Sequence, residues 1–568
     1  MRTRDLVPAG CLALGLWMTS PLARATRAAE TPAASPPTLA DGLAKLQAGD
    51  AASAASILEA VAARAPRSAR AWRAYGLACL KARQLDRSLA AYGRVLELEP
   101  ESPQAFYGLG VVHALKQERD QAFEWLGRAR ASRKLDMTAI QADPDLAGLG
   151  LDADPRYERL LPTPHDFDEP FVEQVKVVRE WDGEGTNDQF GWIARNLGDV
   201  DGDGVPDVVT SAPTHAGSGA RAGRVYVYST RSGALLWTAD GQAGDELGTG
   251  VEAAGDTNRD GVPDVVAGAP GGGKAYVYSG RDGRVLLTLT AEAKDDDFGR
   301  HASGVGDVDH DGFADVIVGA PGNNAGGKGA GRAYVYSGRD GRLLLTLSGE
   351  RAGDGFGSTV GGSSDGRHSF LIVGAPNAGP RKTGRTYVYA GLSAQPKFVI
   401  ESDATGRALG EMFVSVLGDV DGDGVPDVYA SDWSNAARGP STGRIYVHSG
   451  RTGRRLFTLT GETEGEGFGI GPATAGDVDH DGRADLIVGS WQYAGAAISG
   501  GRASLFSGRD GRLLKTYTCR IPGDTFGFDA VGMGDVDGDG TLDFLITSAW
   551  SGIHGFHSGR MFIVSSGV

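Results

Sequence analysis

The sequence predicts a multidomain protein, with an all-α domain of helical repeats followed by an all-β domain of seven repeated units. From about residue 38 to 161, apolar residues follow helical spacing in a stretch rich in Ala, Leu, Arg and Glu. Beyond residue 174, glycine-bounded runs of Val, Ile, Leu and Tyr alternate with an acidic phrase, which is typical of short strands and tight turns. With 568 residues, the chain is also too long for one ordinary core.

Residues 1–25 have the features of a secretory signal peptide. Arg2 and Arg4 precede the short apolar run "CLALGLWM" (11–18), and Ala23-Arg24-Ala25 is a small-x-small cleavage site. The run is too short to span a bilayer, so we expect no membrane span. We expect an exported protein, whether periplasmic, secreted or at the cell surface. Residues 26–37, which include "TPAASPP" (31–37), are a linker by composition.

Charge and cysteine content narrow the possible partners and the means of stabilisation. The formal net charge of −16 disfavours nucleic acid and anionic membranes as partners. After signal cleavage only Cys79 and Cys519 remain, and they fall in different predicted domains. A disulfide framework is therefore not expected, and something else must stabilise the fold in an oxidising compartment.

A repeat of 34 residues marks the helical domain at 38–161, with Pro66 and Pro100 at equivalent places. The large and small residues expected in paired helices recur at matching offsets: Gly42, Ala54 and Leu58; Trp72, Tyr75, Gly76, Ser88 and Tyr92; Phe106, Leu109, Gly110, Ala122, Leu126 and Ala129. The segment resembles tetratricopeptide repeats, about three of them. Residues 143–161 are expected to form a polar-faced closing helix.

The tetratricopeptide resemblance implies a concave groove that binds a peptide. It places four residues on the groove face: Arg70, Arg73, Lys81 and Tyr107. These side chains suit an acidic or C-terminal peptide. Three repeats make a short groove, so the alternative is a spacer that only packs on the next domain.

Residues 162–173 form a second linker, and residues 174–568 form a seven-fold array. Each unit begins at a Phe-Gly marker or a near copy, at Phe190, Leu247, Phe298, Phe356, Phe413, Phe468 and Phe526. The first six units each contain four predicted strands, and seven such units describe a β-propeller. The last unit lacks its fourth strand, which "VKVVREWD" (175–182) is expected to supply, closing the ring.

The acidic phrase, "DVDGDGVPD" at 199–207, has the spacing of a calcium loop. Carboxylates at positions one, three, five and nine, with a carbonyl at position seven from Val205, supply the hard oxygen ligands that calcium prefers. Position twelve is not acidic, which argues against an EF-hand, and the absence of nitrogen and sulfur ligands argues against zinc. A plain polar turn does not account for four acids at one spacing in five copies.

Six blades carry the loop, and the fourth, "SSDGRHSFLIVGAP" (363–376), lacks the acids and is expected to bind no ion. The predicted ligands are Asp199, Asp201, Asp203, Val205 and Asp207; Asp256, Asn258, Asp260 and Asp264; Asp307, Asp309, Asp311 and Asp315; Asp419, Asp421, Asp423 and Asp427; Asp477, Asp479, Asp481 and Asp485; and Asp535, Asp537, Asp539 and Asp543.

The Phe-Gly and "GAP" (319–321, 374–376) markers, the acidic loop and the number of blades together resemble the FG-GAP repeats of the integrin α-subunit propeller. This resemblance covers residues 174–568. It implies calcium loops on one face and a ligand on the opposite face. The helical repeats depart from the integrin pattern, so pairing with an integrin β-subunit is not expected.

Three tryptophans replace the proline of "GAP" in the last three blades: Trp433, Trp491 and Trp550. With Tyr493, they are candidates for binding a protein or a glycan on the face opposite the calcium loops. The alternative is that they fill gaps between blades. We expect a non-enzymatic, calcium-binding scaffold or adhesion-type protein, and a carbohydrate-binding or carbohydrate-active propeller is the alternative. His554 and His557 lie in the same loops but are too few to indicate a zinc site.

Overall fold

The computed structural model describes residues 36–364 and 366–567, so the predicted signal peptide and most of the first linker lie outside it. The chain divides into two compact units. One contains residues 36–168 and 521–523, and the other contains residues 169–520 and 524–567. Within the described ranges, no helix has the length and apolar character needed to cross a membrane.

Three consecutive helix pairs build the first unit, as the repeat pattern predicted. The helices are α1 Leu39–Gln47, α2 Ala51–Arg64, α3 Ala69–Lys81, α4 Leu85–Leu98, α5 Pro103–Leu115 and α6 Arg119–Ala131. Thr38, Asp50 and Ser68 cap the first three helices through side-chain oxygens that accept backbone N–H groups. Large residues of the second helix in a pair fill space left by small ones: a Cβ on Gly110 would lie 2.6 Å from the Leu126 side chain.

The predicted closing helix at 143–161 is wrong. Between α6 and the first strand of the propeller, the described chain has only short 3-10 turns, at Met137–Gln141, Glu158–Leu160 and Pro164–Phe167. Pro144 and Pro155 interrupt helical hydrogen bonding, and Gly148 and Gly150 adopt φ of 74° and 65°, outside the helical region.

Seven four-stranded antiparallel sheets build the second unit, which confirms the predicted propeller. Blade one contains β2 Ala194–Gly198, β3 Asp207–Ala212, β4 Arg224–Tyr228 and β5 Leu235–Asp240. Blade two contains β6 Val251–Gly255, β7 Asp264–Ala269, β8 Lys274–Tyr278 and β9 Val285–Thr290. Blade three contains β10 Ala302–Gly306, β11 Asp315–Ala320, β12 Arg332–Tyr336 and β13 Leu343–Ser348.

The remaining blades repeat this order. Blade four contains β14 Val360–Ser364, β15 Ser369–Ala375, β16 Arg385–Ala390 and β17 Phe398–Glu401. Blade five contains β18 Val414–Val416, β19 Val428–Asp432, β20 Arg444–His448 and β21 Arg455–Thr460. Blade six contains β22 Phe468–Gly476, β23 Asp485–Ser490, β24 Arg502–Phe506 and β25 Leu513–Thr518. Blade seven contains β26 Ala530–Gly534, β27 Asp543–Ser548, β28 Arg560–Ser565 and, from the start of the propeller, β1 Val177–Asp182.

The ring closes through β1, as predicted from the missing last strand. β1 pairs antiparallel with β28, and Trp181 lies opposite Met561. The first strand of each blade packs beside the first strands of its two neighbours, so seven inner strands surround the axis. The innermost strand of each blade is a sheet edge, and the ring protects that edge by placing it at the axis among the other inner strands.

The Phe-Gly markers are core residues, and the structure corrects one of them. Phe190, Phe298 and Phe356 are about 1% exposed and pack on tyrosines of the third strand, with ring centroids 5.2 Å apart for Phe190 and Tyr226. In blade five, Leu409 takes the marker position through its bridge to Gly384, whereas Phe413 was predicted. Leu409-Gly410 matches Leu247-Gly248 of blade two, where leucine also replaces phenylalanine.

Candidate functional site

Each acidic loop joins the first and second strands of its blade and wraps around the first carboxylate. In blade one, the Asp199 carboxylate accepts the N–H groups of Gly202, Asp203 and Gly204 at 2.7, 3.1 and 2.9 Å. The two glycines have φ of 84° and 85°, a conformation that other residues adopt only with strain. The same bonds recur in blades five and seven, so the repeated sequence produces a repeated loop geometry.

In five loops, three carboxylates converge closely enough to share one cation. Their oxygen atoms lie within 4.8 Å of one another. The clusters are Asp199, Asp201 and Asp203; Asp307, Asp309 and Asp311; Asp419, Asp421 and Asp427; Asp477, Asp479 and Asp485; and Asp535, Asp537 and Asp539. Carboxylates in this number and spacing fit the hard oxygen ligand set of Ca²⁺.

The aspartate at position nine of each loop is buried where the second strand begins. These residues are Asp207, Asp264, Asp315, Asp427, Asp485 and Asp543, each at most 1% exposed. Asp207 accepts the N–H groups of Val200 and Thr230 at 2.9 and 3.1 Å. Burial raises the pKa of four of these carboxyls to about 6, namely those of Asp207, Asp315, Asp427 and Asp543. A bound cation would offset this penalty on the ionised form.

A basic side chain lies beside each acidic loop, a feature that the sequence reasoning missed. In blade five, the Nε of Arg451 is 3.0 Å from the Asp423 carboxylate, and in blade seven Lys176 of the N-terminal segment lies 2.6 Å from Asp539. The other pairs are Arg231–Asp203, Arg281–Asp260, Arg342–Asp309 and Arg512–Asp479. The arginines come from the turns between third and fourth strands, which the sequence marks only as "RSG", "RDG" and "RTG".

Blades two and four differ from the other five. In blade two, Asp256 accepts the Gly261 N–H at 2.9 Å, and Asn258 and Asp260 occupy positions three and five, so the loop has the same shape with one carboxylate fewer. In blade four, a short turn joins β14 and β15, and Asp365 within it lies outside the described residues. The side chain of Val205 is buried, and the role of its carbonyl as a ligand stays a prediction.

The predicted tryptophans form a cluster on the face opposite the acidic loops. Because neighbouring strands are antiparallel, the loops between second and third strands lie opposite those between first and second strands. Ring centroids are 6.3 Å apart for Trp433 and Trp491, and 4.7 Å apart for Trp491 and Trp550. Trp192 and Phe528 extend this cluster, with their own centroids 4.9 Å apart. Trp192 follows the marker Phe190 by two residues, and Phe528 follows the marker Phe526 by two residues. This shared spacing is the sequence signal that could have identified both residues.

Burial divides this aromatic cluster into packing and accessible members. Trp491 and Trp550 are 7% and 5% exposed, and their indole N–H groups are buried without a hydrogen-bond partner in the described part of the chain. Trp433 is half-buried and donates its indole N–H to Glu411 at 3.0 Å. Trp433 with its partner Glu411, and Trp192, are therefore more available to a ligand than Trp491 and Trp550.

Tyr493 and the two histidines are placed differently from the tryptophans. Tyr493 is half-buried and lies under the Arg502 guanidinium, 3.9 Å from its ring centroid. His557 stacks on Trp550 at 5.1 Å, and burial lowers its pKa to about 3. His554 is half-exposed and lies 3.6 Å from Asp182.

A buried ion cluster lies among the inner strands of blades one, two and seven, and sequence reasoning did not find it. Arg195 pairs with Glu252 and with Asp529, whose side chain is 1% exposed. Asp529 also accepts the Ala194 N–H at 3.1 Å. The three residues belong to different blades, so only the closed ring brings them together.

The predicted peptide groove already holds part of its own chain. Tyr107 donates its hydroxyl hydrogen to Asp143 at 2.8 Å, and Lys81 lies 2.5 Å from Asp145. Arg83 adds a second ion pair to Asp145 at 3.0 Å. Desolvation raises the pKa of Asp143. Two of the four predicted groove residues are therefore engaged by the acidic turn at 143–145.

The other two predicted groove residues are not part of that contact. Arg73 pairs with Glu99 at 3.2 Å, and Arg70 has an interaction within the chain. Neither therefore marks an empty anion site.

Comparison with known families agrees with this architecture. The FG-GAP repeat family matches residues 190–228, 248–287 and 298–336, and an FG-GAP-like repeat matches residues 419–488. The tetratricopeptide repeat family matches residues 39–87 and 80–136. The propeller of this chain contains FG-GAP repeats. The tetratricopeptide repeats precede the FG-GAP propeller in the sequence.

Curated relatives of the FG-GAP propeller include integrin α-subunits. The chain is 30% identical over 202 residues to integrin alpha-4 of Xenopus laevis, covering 32% of this chain and 19% of that protein. It is 26% identical over 258 residues to integrin alpha-5 of Xenopus laevis, covering 40% and 24%. It is 37% identical over 145 residues to phosphatidylinositol-glycan-specific phospholipase D of Bos taurus, covering 22% and 17%. The chain thus spans about a fifth of the length of these relatives.

Proposed function

We propose that this protein is an exported, calcium-binding scaffold of the adhesion type, whose FG-GAP propeller binds a protein ligand. The observation that carries the proposal is the convergence of three carboxylates in each of five loops on one face of the ring. FG-GAP repeats and similarity to integrin α-subunits support a protein-binding role. Export rests on residues 1–25 of the sequence, outside the described residues.

Calcium would stabilise the propeller by binding the folded loops and not the unfolded chain. Six loops carry the ligand pattern. They are the five loops with a carboxylate cluster and the blade-two loop with Asn258. Metal binding would draw the carboxylates together and offset their mutual repulsion, so its free energy becomes folding free energy. This would explain how the propeller is stabilised although its cysteine, Cys519, is a free thiol.

The ligand would bind on the face opposite the calcium loops, around Trp433 and Glu411. Trp433 is half-buried and offers a flat apolar surface beside a carboxylate, which suits a protein side chain. We propose no enzymatic activity. A peptide would enter the helical groove only after the turn at 143–145 leaves it, because Lys81 and Tyr107 are already bonded there.

A glycan ligand is the second candidate, because the half-buried Trp433 and Trp192 present aromatic surface on this face. A glycan array with the calcium-loaded protein separates the two functions. Specific sugar binding that is lost with Trp433→Ala would favour the glycan. Binding of a protein from extracellular material, lost with the same variant, would favour the scaffold. The matched control is Trp72→Ala, a half-buried tryptophan in the helical unit. If neither partner depends on Trp433, the proposed ligand face is wrong.

A further inference from the structure

A cavity of about 450 Å³ lies on the helical unit, away from the groove residues Lys81 and Tyr107. One wall is the face of α6, and the other is the 3-10 turn at Glu158–Leu160. Four of its eight lining residues are arginines: Arg130, Arg133, Arg156 and Arg159. The volume is in the range of small-molecule sites in proteins.

Two of these arginines are already held in place by carboxylates. Arg156 makes a bidentate pair with Asp154 at 2.8 and 3.0 Å and reaches Asp120 at 2.9 Å. Arg130 donates to Asp166 at 2.6 Å and to the Leu161 carbonyl at 3.3 Å. Their guanidinium planes are thereby fixed along the cavity wall before any ligand arrives.

The other two arginines have no such partner. Arg133 and Arg159 are exposed, and neither makes an ion pair or side-chain hydrogen bond within the described residues. The chain has 72 acidic residues against 56 basic ones, so carboxylates outnumber basic side chains. Arg133 and Arg159 are therefore not left unpaired by a shortage of carboxylates. Two uncompensated guanidinium groups on one cavity attract an anion.

The floor of the cavity is apolar, with a guanidinium over one part of it and open space over another. Phe123 and Leu160 are buried at 6% and 4% exposure, and the Arg156 guanidinium lies 4.2 Å from the Phe123 ring centroid. A Cβ built on Gly127 would meet no atom within 4 Å, so there is room above this part of the floor. An apolar group would fit here while its charged end faces the arginines.

From these observations we infer that the cavity binds a small dianion, a phosphate or a pair of carboxylates, carried on an apolar group. Guanidinium groups recognise both anions through paired N–H donors. Arg133 and Arg159 supply the charge, Arg130 and Arg156 shape the wall, and the open space at Gly127 beside Leu160 receives the apolar group. This site is independent of calcium and of the propeller ligand.

Isothermal titration of the full chain tests the inference with phenyl phosphate and benzene-1,2-dicarboxylate as probes and benzyl alcohol as the neutral control. We expect binding of at least one dianion, weakened at least ten-fold by Arg133→Gln with Arg159→Gln, and no binding of benzyl alcohol. Arg67→Gln with Arg454→Gln removes the same charge from exposed sites elsewhere and should leave affinity within two-fold.

The outcomes distinguish the sources of the anion and decide the inference. Binding of phenyl phosphate alone identifies a phosphate site, and binding of both probes identifies a site for the shared dianionic chemistry. Binding of the dicarboxylate alone identifies a carboxylate site. If both double variants weakened dianion binding equally, the inference would be overturned, because the dianion would then be attracted by the overall charge of the protein and not by this cavity. No binding of either dianion by a folded protein, verified by its thermal unfolding, would also overturn it.

Discussion

Acidification should reduce the stabilisation that calcium gives, because protons on the buried position-nine carboxyls oppose a cation bound in the same loop. Burial raises the pKa of Asp207, Asp315, Asp427 and Asp543 to about 6 in the metal-free fold. Unfolded aspartate titrates near pH ~4. A carboxyl with a raised folded pKa binds more protons when folded, so these groups stabilise the metal-free fold as pH falls from about 7 to about 5. Calcium keeps the carboxylates ionised, so the loaded fold does not gain this stability.

The magnitude follows from the titration of each group. Crossing a pKa of about 6 between about pH 7 and pH 5 changes the free energy of unfolding by about 1.3 kcal/mol per carboxyl, or at most about 5 kcal/mol for the four groups. Comparing calcium with chelator at one pH cancels other titrations, such as that of His301, whose pKa burial lowers to about 3.

Urea denaturation in calcium and in chelator, repeated across this pH range, measures the difference directly. The free-energy increment from calcium should shrink as pH falls. Asp427→Asn removes one titrating carboxyl and should lessen that pH dependence by about 1.3 kcal/mol. An increment that stays constant from about pH 7 to about pH 5 would refute the opposition between protons and calcium.

Three further perturbations test other contacts. Asp309→Asn should remove one calcium ion and, at a calcium concentration about 100-fold above Kd, about 2.7 kcal/mol of calcium-dependent stability. Metal analysis measures the number of bound ions and denaturation measures the stability. An unchanged number of bound ions would contradict the role of Asp309 as a ligand. Arg195→Met leaves Asp529 and Glu252 without their cation and should cost about 3 kcal/mol in denaturation, whereas a change under about 0.5 kcal/mol would contradict the ion cluster. Asp145→Asn removes the ion pairs to Lys81 and Arg83 and should speed hydrogen exchange around residues 143–151, and unchanged protection would contradict the groove contact.

The fold followed from the sequence because each blade repeats its local signals. Glycine-bounded strands, the Phe-Gly marker and the acidic loop recur in the same order. The strands assigned in one blade therefore predict the positions of the strands in the next blade. Blade five was misread at Phe413 because its marker, Leu409-Gly410, is less typical than the phenylalanine nearby. In the other blades an acid lies two residues before the marker, as Asp188 does before Phe190, but blade five has Arg407 there. Asp432, from the end of β19, accepts the N–H groups of Arg407 and Ala408 at 3.0 and 3.1 Å.

The parts of the site that the sequence did not predict depend on contacts between distant residues. Arg195, Glu252 and Asp529 meet only when blade seven closes on blade one, and no local pattern marks them. The turn at 143–145 was expected in a closing helix, because periodicity alone does not show that its carboxylates reach Lys81 and Tyr107. The loop ligands were predicted because all of them lie within nine consecutive residues.

The most direct test of the central claim combines metal analysis of the mature protein with its thermal unfolding in calcium and in chelator. The account predicts about six calcium ions per chain, one for each acidic loop, and a large rise in Tm with calcium. Absence of bound calcium together with an unchanged Tm would contradict it and would leave the acidic loops as turns without a metal.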